Sequence, residues 1–145
     1  MRIALTLLLL TGIPGAASAT AQKPREAILY KEPQCGCCEA YADYLRANGF
    51  DVTVQPTHDL PLLKRQYGVP GALEGCHTML VDGYVVEGHV PVDTLFRLLT
   101  ERPDIRGISL PGMPAGSPGM SGEKTAPFTM YEIGDGGPPE VYGVE

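Results

Sequence analysis

Three of the chain's cysteines fall within four positions, in the segment Cys35-Gly36-Cys37-Cys38. Cys35 and Cys38 have the C-x-x-C spacing of a dithiol oxidoreductase. A third thiol beside such a pair would scramble its disulfide, which argues against Cys37 as a passive neighbour. The segment therefore raises three alternatives, which are disulfide exchange, metal binding and a structural clasp.

The distribution of all four cysteines argues against two structural disulfides. A stapled framework spreads its cysteines so that each bridge closes a loop of the unfolded chain. Here only Cys76 is distant, and a bridge between the adjacent Cys37 and Cys38 would need strained geometry. We therefore favour a functional cluster of Cys35, Cys37, Cys38 and Cys76.

Four thiolates gathered in one place would bind a soft metal ion. Their spacing differs from the two separated pairs of a zinc ribbon. Thiolates at positions 35, 37 and 38 cannot easily surround one ion as a tetrahedron, whereas they can bridge several Cu(I) ions. The pattern predicts a copper site, and a multinuclear one.

Further candidate ligands occur later in the chain. Met113 and Met120 each follow a Pro-Gly step in a proline-rich loop. A thioether binds copper without losing a proton and forms no disulfide, which suits an exported copper site. The alternative is that a flexible Met pins the loop to the core. His89 is a candidate imidazole ligand, with a structural histidine as its alternative.

The remaining histidines and methionines are weaker candidates. His77 follows Cys76 directly, and neighbours along an extended chain point to opposite sides. We therefore expect His77 to face away from the cysteine cluster. His58 lies in a loop and is expected to be exposed. Met79 and Met130 lie in predicted strands and are expected in the core.

The hydrophobic pattern predicts the elements that position these residues. Helical periodicity begins at Cys37 and ends at Asn48-Gly49, and Asp82-Gly83 is a two-residue hairpin signal. The predicted strands cover residues 27–30, 50–54, 78–81 and 84–88, and the predicted helices cover 37–48, 60–67 and 92–102.

This β-α-β-α-β-β-α order predicts a thioredoxin-like α/β domain over residues 24–103. The first two strands should be parallel, because a helix connects them, and the last two should form a hairpin. The end of strand one, the start of strand three and the end of strand four then lie at one edge of the sheet. Cys35 to Cys38, Cys76 and His89 should therefore converge there.

Residues 104–145 fall outside this predicted domain. The stretch 107–122 is rich in Gly and Pro and predicts an irregular loop. Residues 128–133 and 140–144 are expected to form a terminal hairpin around Asp135-Gly136-Gly137. We expect an ordered C-terminal extension that packs back on the domain and contributes to the metal site.

The N-terminus has the pattern of an export signal. Arg2 precedes an apolar run, and Ala17-Ser18-Ala19 supplies the small residues of a cleavage site. The run is too short to span a bilayer, which takes about 20 residues. The alternative is an uncleaved anchor. We expect a signal peptide over residues 1–19, export to the periplasm and no later membrane span.

The charge balance argues against nucleic acid as a partner. The full chain has a formal net charge of -6, which becomes -7 without residues 1–19 because these hold one basic and no acidic residue. An acidic chain without Lys/Arg clusters does not match a phosphate backbone. We expect a monomer, because no long exposed apolar stripe is evident.

Residues 27–121 resemble the CopG-like family of periplasmic copper-resistance proteins. The matching segments are CGCC at 35–38, CHTMLVDGYVVEGHVP at 76–91 and LPGMPAGSPGM at 110–120. The resemblance implies a thioredoxin-like domain whose C-terminal extension helps to bind metal. It also implies a cysteine-bridged multinuclear copper cluster beside the C-x-C-C motif. As an activity it implies copper-dependent oxidoreduction that interconverts Cu(I) and Cu(II), in support of copper tolerance and efflux.

Three hypotheses for function follow. In the first, the four cysteines bridge copper, which changes oxidation state, and His89, Met113 and Met120 complete the ligands. The second is a thiol-disulfide oxidoreductase with Cys35 as nucleophile and Cys38 as resolving thiol. The third is a non-enzymatic scavenger or chaperone that passes Cu(I) to an efflux system. Dithiol enzymes usually place a proline before strand three, where this chain has Cys76-His77, and this favours metal binding.

Overall fold

The computed structural model describes residues 23–145. The predicted signal peptide at residues 1–19 lies outside the described residues. None of the helices within residues 23–145 has the length and apolar character needed to cross a membrane.

The described residues form strands and helices close to the predicted bounds. The strands are β1 (Arg25–Lys31), β2 (Phe50–Pro56), β3 (His77–Val81), β4 (Tyr84–Glu87), β5 (Gly107–Ser109), β6 (Thr129–Ile133) and β7 (Val141–Val144). The helices are α1 (Gly36–Ala47), α2 (Leu60–Gln66) and α3 (Val92–Glu101), with a short 3-10 turn at Gly71–Leu73. The predicted β-α-β-α-β-β-α order is confirmed over β1 to α3.

The strands share one sheet in the order β2-β1-β3-β4-β5-β6-β7. β1 and β2 are parallel, as a strand–helix–strand connection requires, and β3 runs antiparallel to β1. β3 and β4 form the predicted hairpin, in which Asp82 and Gly83 both have positive φ, as a tight two-residue turn demands. The first four strands and their helices therefore give the thioredoxin-like α/β fold that the sequence predicts.

The sheet continues into the C-terminal part of the chain. The predicted terminal hairpin is confirmed as β6 and β7. β5 is a correction, because it lies in the stretch predicted to be an irregular loop, yet it pairs in parallel with β4. A Cβ atom at Gly107 would lie 1.8 Å from the Val85 carbonyl oxygen, so only glycine allows this close approach of β5 to β4. In a sequence, glycine usually indicates a loop, which explains the wrong prediction.

The two faces of the sheet bury different side chains, because successive residues of a strand point to opposite sides. One face packs against α1 and α3, and Leu29, Met79 and Val86 lie in this larger core. The opposite face carries a smaller cluster with Val85 and Ile133. Met79 and Met130 are buried, as predicted. Along β3, the alternation turns His77 and Met79 towards α1 and turns Thr78 towards α2.

The strand register brings the predicted site segments to one edge. Lys31 at the end of β1 pairs with His77 at the start of β3, and Thr78 pairs with Glu87 at the end of β4. The segments that follow β1, precede β3 and follow β4 therefore meet, which confirms the convergence expected from the predicted topology.

Candidate metal centre

The cysteine-rich segment forms the start of helix α1. Cys35 is the N-cap residue, and its side chain makes no capping hydrogen bond. Cys37 and Cys38 lie in the first turn of the helix. Cys38 is fully buried, whereas Cys35 and Cys37 are half-buried.

The four cysteine sulfurs lie together although Cys76 comes from a distant segment. All four lie within 4.8 Å of one another. Cys76 Sγ is 3.4 Å from Cys38 Sγ and 3.9 Å from Cys37 Sγ. Cys35 and Cys38 form a disulfide, and Cys37 and Cys76 are free thiols. The structure thus joins the C-x-C-C segment and Cys76 into one group.

Burial sets the protonation of the Cys76 thiol. Desolvation, followed by the charge of Cys37 and a hydrogen bond with it, raises the pKa of Cys76 to about 12. The thiol is therefore protonated at neutral pH in the metal-free protein. A coordinated metal ion deprotonates a thiol outright, so binding of a metal here would release a proton.

His89 faces Cys76 with a defined ring tautomer. Its Nδ1 lies 2.6 Å from the Pro118 carbonyl oxygen, and its Nε2 lies 3.0 Å from Cys76 Sγ. A carbonyl can only accept, so Nδ1 carries the proton, which leaves the Nε2 lone pair directed at the sulfur. Burial lowers the pKa of His89, which keeps the ring neutral, the form that binds metals.

His77 also lies at the site, and the prediction that it faces away is wrong. Its Nδ1 is 3.6 Å from Cys76 Sγ, and one ligand atom each of Cys76, His77 and His89 lies within 4.8 Å of the other two. Strand alternation does not separate the two residues because β3 begins at His77, which leaves Cys76 in the preceding bend. Burial, then the charges of His89 and Lys64, holds the pKa of His77 well below its usual range.

The Nε2 atom of His77 tests whether the site fits a metal ion. It is buried and has no hydrogen-bond partner among residues 23–145. Unpaired buried polar atoms are rare, and each calls for an explanation such as an ion or a water molecule. The other ring nitrogen, Nδ1, faces Cys76, so the sulfurs, the neutral His89 ring and His77 give a donor set of sulfur and imidazole nitrogen that suits copper.

The loop at 110–122 reaches the site through its backbone. A Cβ atom at Gly119 would lie 2.6 Å from the Tyr41 nitrogen and 3.0 Å from the Cys37 carbonyl oxygen, so the loop touches the first turn of α1. Met120 follows directly and is half-buried, whereas Met113 is 42% exposed. The ligand role of the two methionines stays a prediction.

Tyr41 packs against both histidines, and the sequence analysis did not predict this role. Its buried ring stacks on His77 at 4.9 Å between centroids and lies 5.0 Å from His89, and its hydroxyl donates to the Val90 carbonyl oxygen at 2.8 Å. The available signal was its position one helical turn after Cys37, on the same side of α1. The side chain of His58 is 84% exposed, which confirms the predicted exposure of this residue.

Comparisons with known proteins agree with this geometry. The profile of a family described as "Protein of unknown function, DUF411" matches residues 73–120. Two solved structures, named copper resistance protein copG, form 2 and form 1, are each 36% identical to the chain, with TM-scores of 0.77 and 0.76. Each match covers 84% of this chain and 98% of the other. No protein with curated annotation matches the chain.

The fold and the site together define a thioredoxin-like protein with a thiol-rich candidate metal centre. At this identity and coverage, the chain belongs to the CopG family of copper-resistance proteins, as its three motifs indicate.

Proposed function

We propose that the protein holds a cysteine-bridged copper cluster and interconverts Cu(I) and Cu(II) in copper resistance. The observation that carries this proposal is the meeting of four cysteine sulfurs within 4.8 Å, from two segments far apart in sequence. The similar solved structures are named as copper-resistance proteins, which supports the same role here.

The proposed ligands combine sulfur, which favours Cu(I), with imidazole, which binds copper as well as harder ions. The set consists of Cys35, Cys37, Cys38, Cys76, His89, Met113 and Met120. We add His77, because its Nδ1 lies 3.6 Å from Cys76 Sγ and its ring groups with Cys76 and His89.

The Cys35–Cys38 pair supplies a two-electron couple inside the proposed site. Reduction of the disulfide takes up two electrons and two protons and yields two thiols. Oxidation of one Cu(I) to Cu(II) releases one electron, so two copper ions balance one disulfide. Since the same sulfurs are proposed ligands, the redox state of the pair would set how many thiolates are available to copper.

The domain arrangement and location belong to the same proposal. Residues 1–19 are proposed to direct export to the periplasm, residues 24–103 to form the thioredoxin-like domain and residues 104–145 to complete the metal site. The contacts of Pro118 with His89 and of Gly119 with Cys37 support the last part. The mature protein is proposed to act as a monomer that exchanges copper with a periplasmic efflux system.

Anaerobic purification followed by metal analysis and a Cu(I) titration against a chromophoric chelator tests the proposal. We expect more than one copper per protein and a Cu(I)–thiolate absorption band. Cys76→Ser should lose most of this copper, while the exposed-histidine control His58→Asn keeps it. Less than one copper per protein, with insulin-reducing activity intact, would overturn the proposal.

A thiol-disulfide oxidoreductase is the second candidate. The Cys35–Cys38 disulfide and the free Cys76 thiol, 3.4 Å from Cys38 Sγ, favour it. Insulin reduction by the copper-free protein, abolished by Cys35→Ser, would support this candidate. Copper that binds tightly without changing oxidation state over repeated cycles would instead identify a scavenger or chaperone.

A further inference from the structure

A buried group of three polar side chains lies behind Cys76, on the sheet face opposite to His77. Lys64 projects from α2 and is 4% exposed, and Thr78 and Glu87 are fully buried. Lys64 Nζ donates to Glu87 Oε2 at 2.5 Å and to Thr78 Oγ1 at 3.2 Å. Burial of a charge costs free energy unless the charge is paired and hydrogen-bonded. Apolar side chains would fill the same space at lower cost, so the presence of this polar group calls for an explanation.

The hydrogen bonds of this group reach the backbone on both sides of Cys76. Glu87 Oε2 accepts from the Gly75 N–H at 2.8 Å, and Lys64 Nζ donates to the His77 carbonyl oxygen at 3.2 Å. The Thr78 hydroxyl donates to Glu87 Oε1 at 2.5 Å, which orients the carboxylate. The bend that carries Cys76 is therefore tied down at the residue before it and at the residue after it.

The same bend is packed against the segment that carries His89. A Cβ atom at Gly75 would lie 2.5 Å from the Gly88 nitrogen, so the two backbones are in direct contact. Gly88 joins Glu87, the acceptor in the buried group, to His89. Movement of Glu87 would therefore displace both Cys76 and the imidazole that lies 3.0 Å from its sulfur.

We propose that Lys64, Thr78 and Glu87 are positioning residues that hold Cys76 Sγ at its place between Cys38 and His89 before any metal arrives. The start of α1 is held by a separate buried lysine, Lys31, which donates to the Glu32 and Pro33 carbonyl oxygens and pairs with Glu39. The effect on copper affinity rests on the proposed function, whereas the placement of the Cys76 thiol does not.

The variants are chosen to separate positioning from folding. Lys64→Met with Glu87→Gln removes both charges together, so that no unpaired charge stays buried. Thr78→Val removes only the hydroxyl with little change of shape, and Thr78→Ser restores it. Ser109→Ala is the matched control, because this buried hydroxyl, on the strand residue paired with Glu87, donates to the Leu73 carbonyl oxygen and not to Lys64, Thr78 or Glu87.

The first measurement is made on the reduced, metal-free protein. The rate of iodoacetamide alkylation is followed for each cysteine by mass spectrometry, with Cys37 as the reference in the same molecule. We expect the double variant and Thr78→Val to raise the Cys76 rate several-fold relative to Cys37. Thr78→Ser and Ser109→Ala should leave the ratio unchanged.

The second measurement is Cu(I) affinity by chelator competition. The double variant should bind about 10- to 100-fold more weakly, the range typical for loss of outer partners of metal ligands, with Thr78→Val between it and the wild type.

If the wild type fails to bind Cu(I), the proposed function fails, and the alkylation ratio still decides whether the three residues position Cys76. A folded double variant with an unchanged ratio would overturn the inference, as would an equal change in Ser109→Ala. If the double variant does not fold, the contrast between Thr78→Val and Thr78→Ser decides it.

Discussion

The two sides of the candidate metal centre differ in how the surrounding structure holds them. The helix side, Cys35 to Cys38, includes two half-buried sulfurs at a helix start and can switch between a disulfide and two thiols. The strand side, Cys76, His77 and His89, has two fully buried rings, with Tyr41 packed against both. One side can therefore change its covalent state while the other keeps its geometry.

The two sides also differ in the donors that they present. The helix side offers only sulfur, from Cys35, Cys37 and Cys38. The strand side adds imidazole nitrogens, which burial keeps neutral by lowering the pKa of both histidines. Sulfur favours Cu(I), and nitrogen also accommodates Cu(II). Under the proposed function, the strand side would retain copper when the helix side is oxidised.

Replacement of His89 should have the largest effect on this division. His89→Asn removes the nitrogen that lies 3.0 Å from Cys76 Sγ and keeps a polar side chain next to Pro118. We expect Cu(II) binding to fall by at least about 100-fold, because loss of a ligand should exceed the 10- to 100-fold cost of losing an outer partner, and Cu(I) binding to fall less. The comparison uses His58→Asn, and equal losses for both oxidation states would remove the distinction between the two sides.

Separation of the C-terminal loop from α1 should have an intermediate effect. Gly119→Ala places a Cβ atom 2.6 Å from the Tyr41 nitrogen, and Gly112→Ala is its matched control because both glycines have a φ of 79° and Gly112 has nothing within 4 Å. Each variant carries a left-handed residue, at a cost of about 1–2 kcal/mol. Urea unfolding should show a further decrease in the free energy of unfolding only for Gly119→Ala, and this variant should also bind copper more weakly. Equal losses would mean that the loop contact is unimportant.

Replacement of the loop methionines should have the smallest effect. Met113→Leu and Met120→Leu nearly conserve volume, and such swaps usually cost less than about 1.5 kcal/mol of stability. If the thioethers are ligands, Cu(I) affinity falls several-fold and the thiolate absorption band shifts. Met130→Leu, in the core of β6, controls for the swap itself. An unchanged affinity in the Met113/Met120 double variant would exclude both from the site.

Sequence reasoning predicted most of the fold because its signals are local. The helical periodicity of residues 37–48, the Asp82-Gly83 turn and the terminal hairpin are each encoded within a few neighbouring residues. β5 was missed because a three-residue strand containing Gly107 has too few side chains to show a pattern. Its pairing with β4 depends on a close backbone approach that only the folded chain reveals.

By itself, the sequence determined the chemistry of this protein: crowded thiols after the first strand, a second Cys-His step, and an element order that directs them to one edge. Only the tertiary structure decided that His77 joins His89 at Cys76, that Pro118 selects the His89 tautomer, and that Lys64 and Glu87 are buried behind the site. The reason is physical. Periodicity reports which face of an element is apolar, whereas buried polar groups are stabilised by partners from distant segments, which exist only after packing.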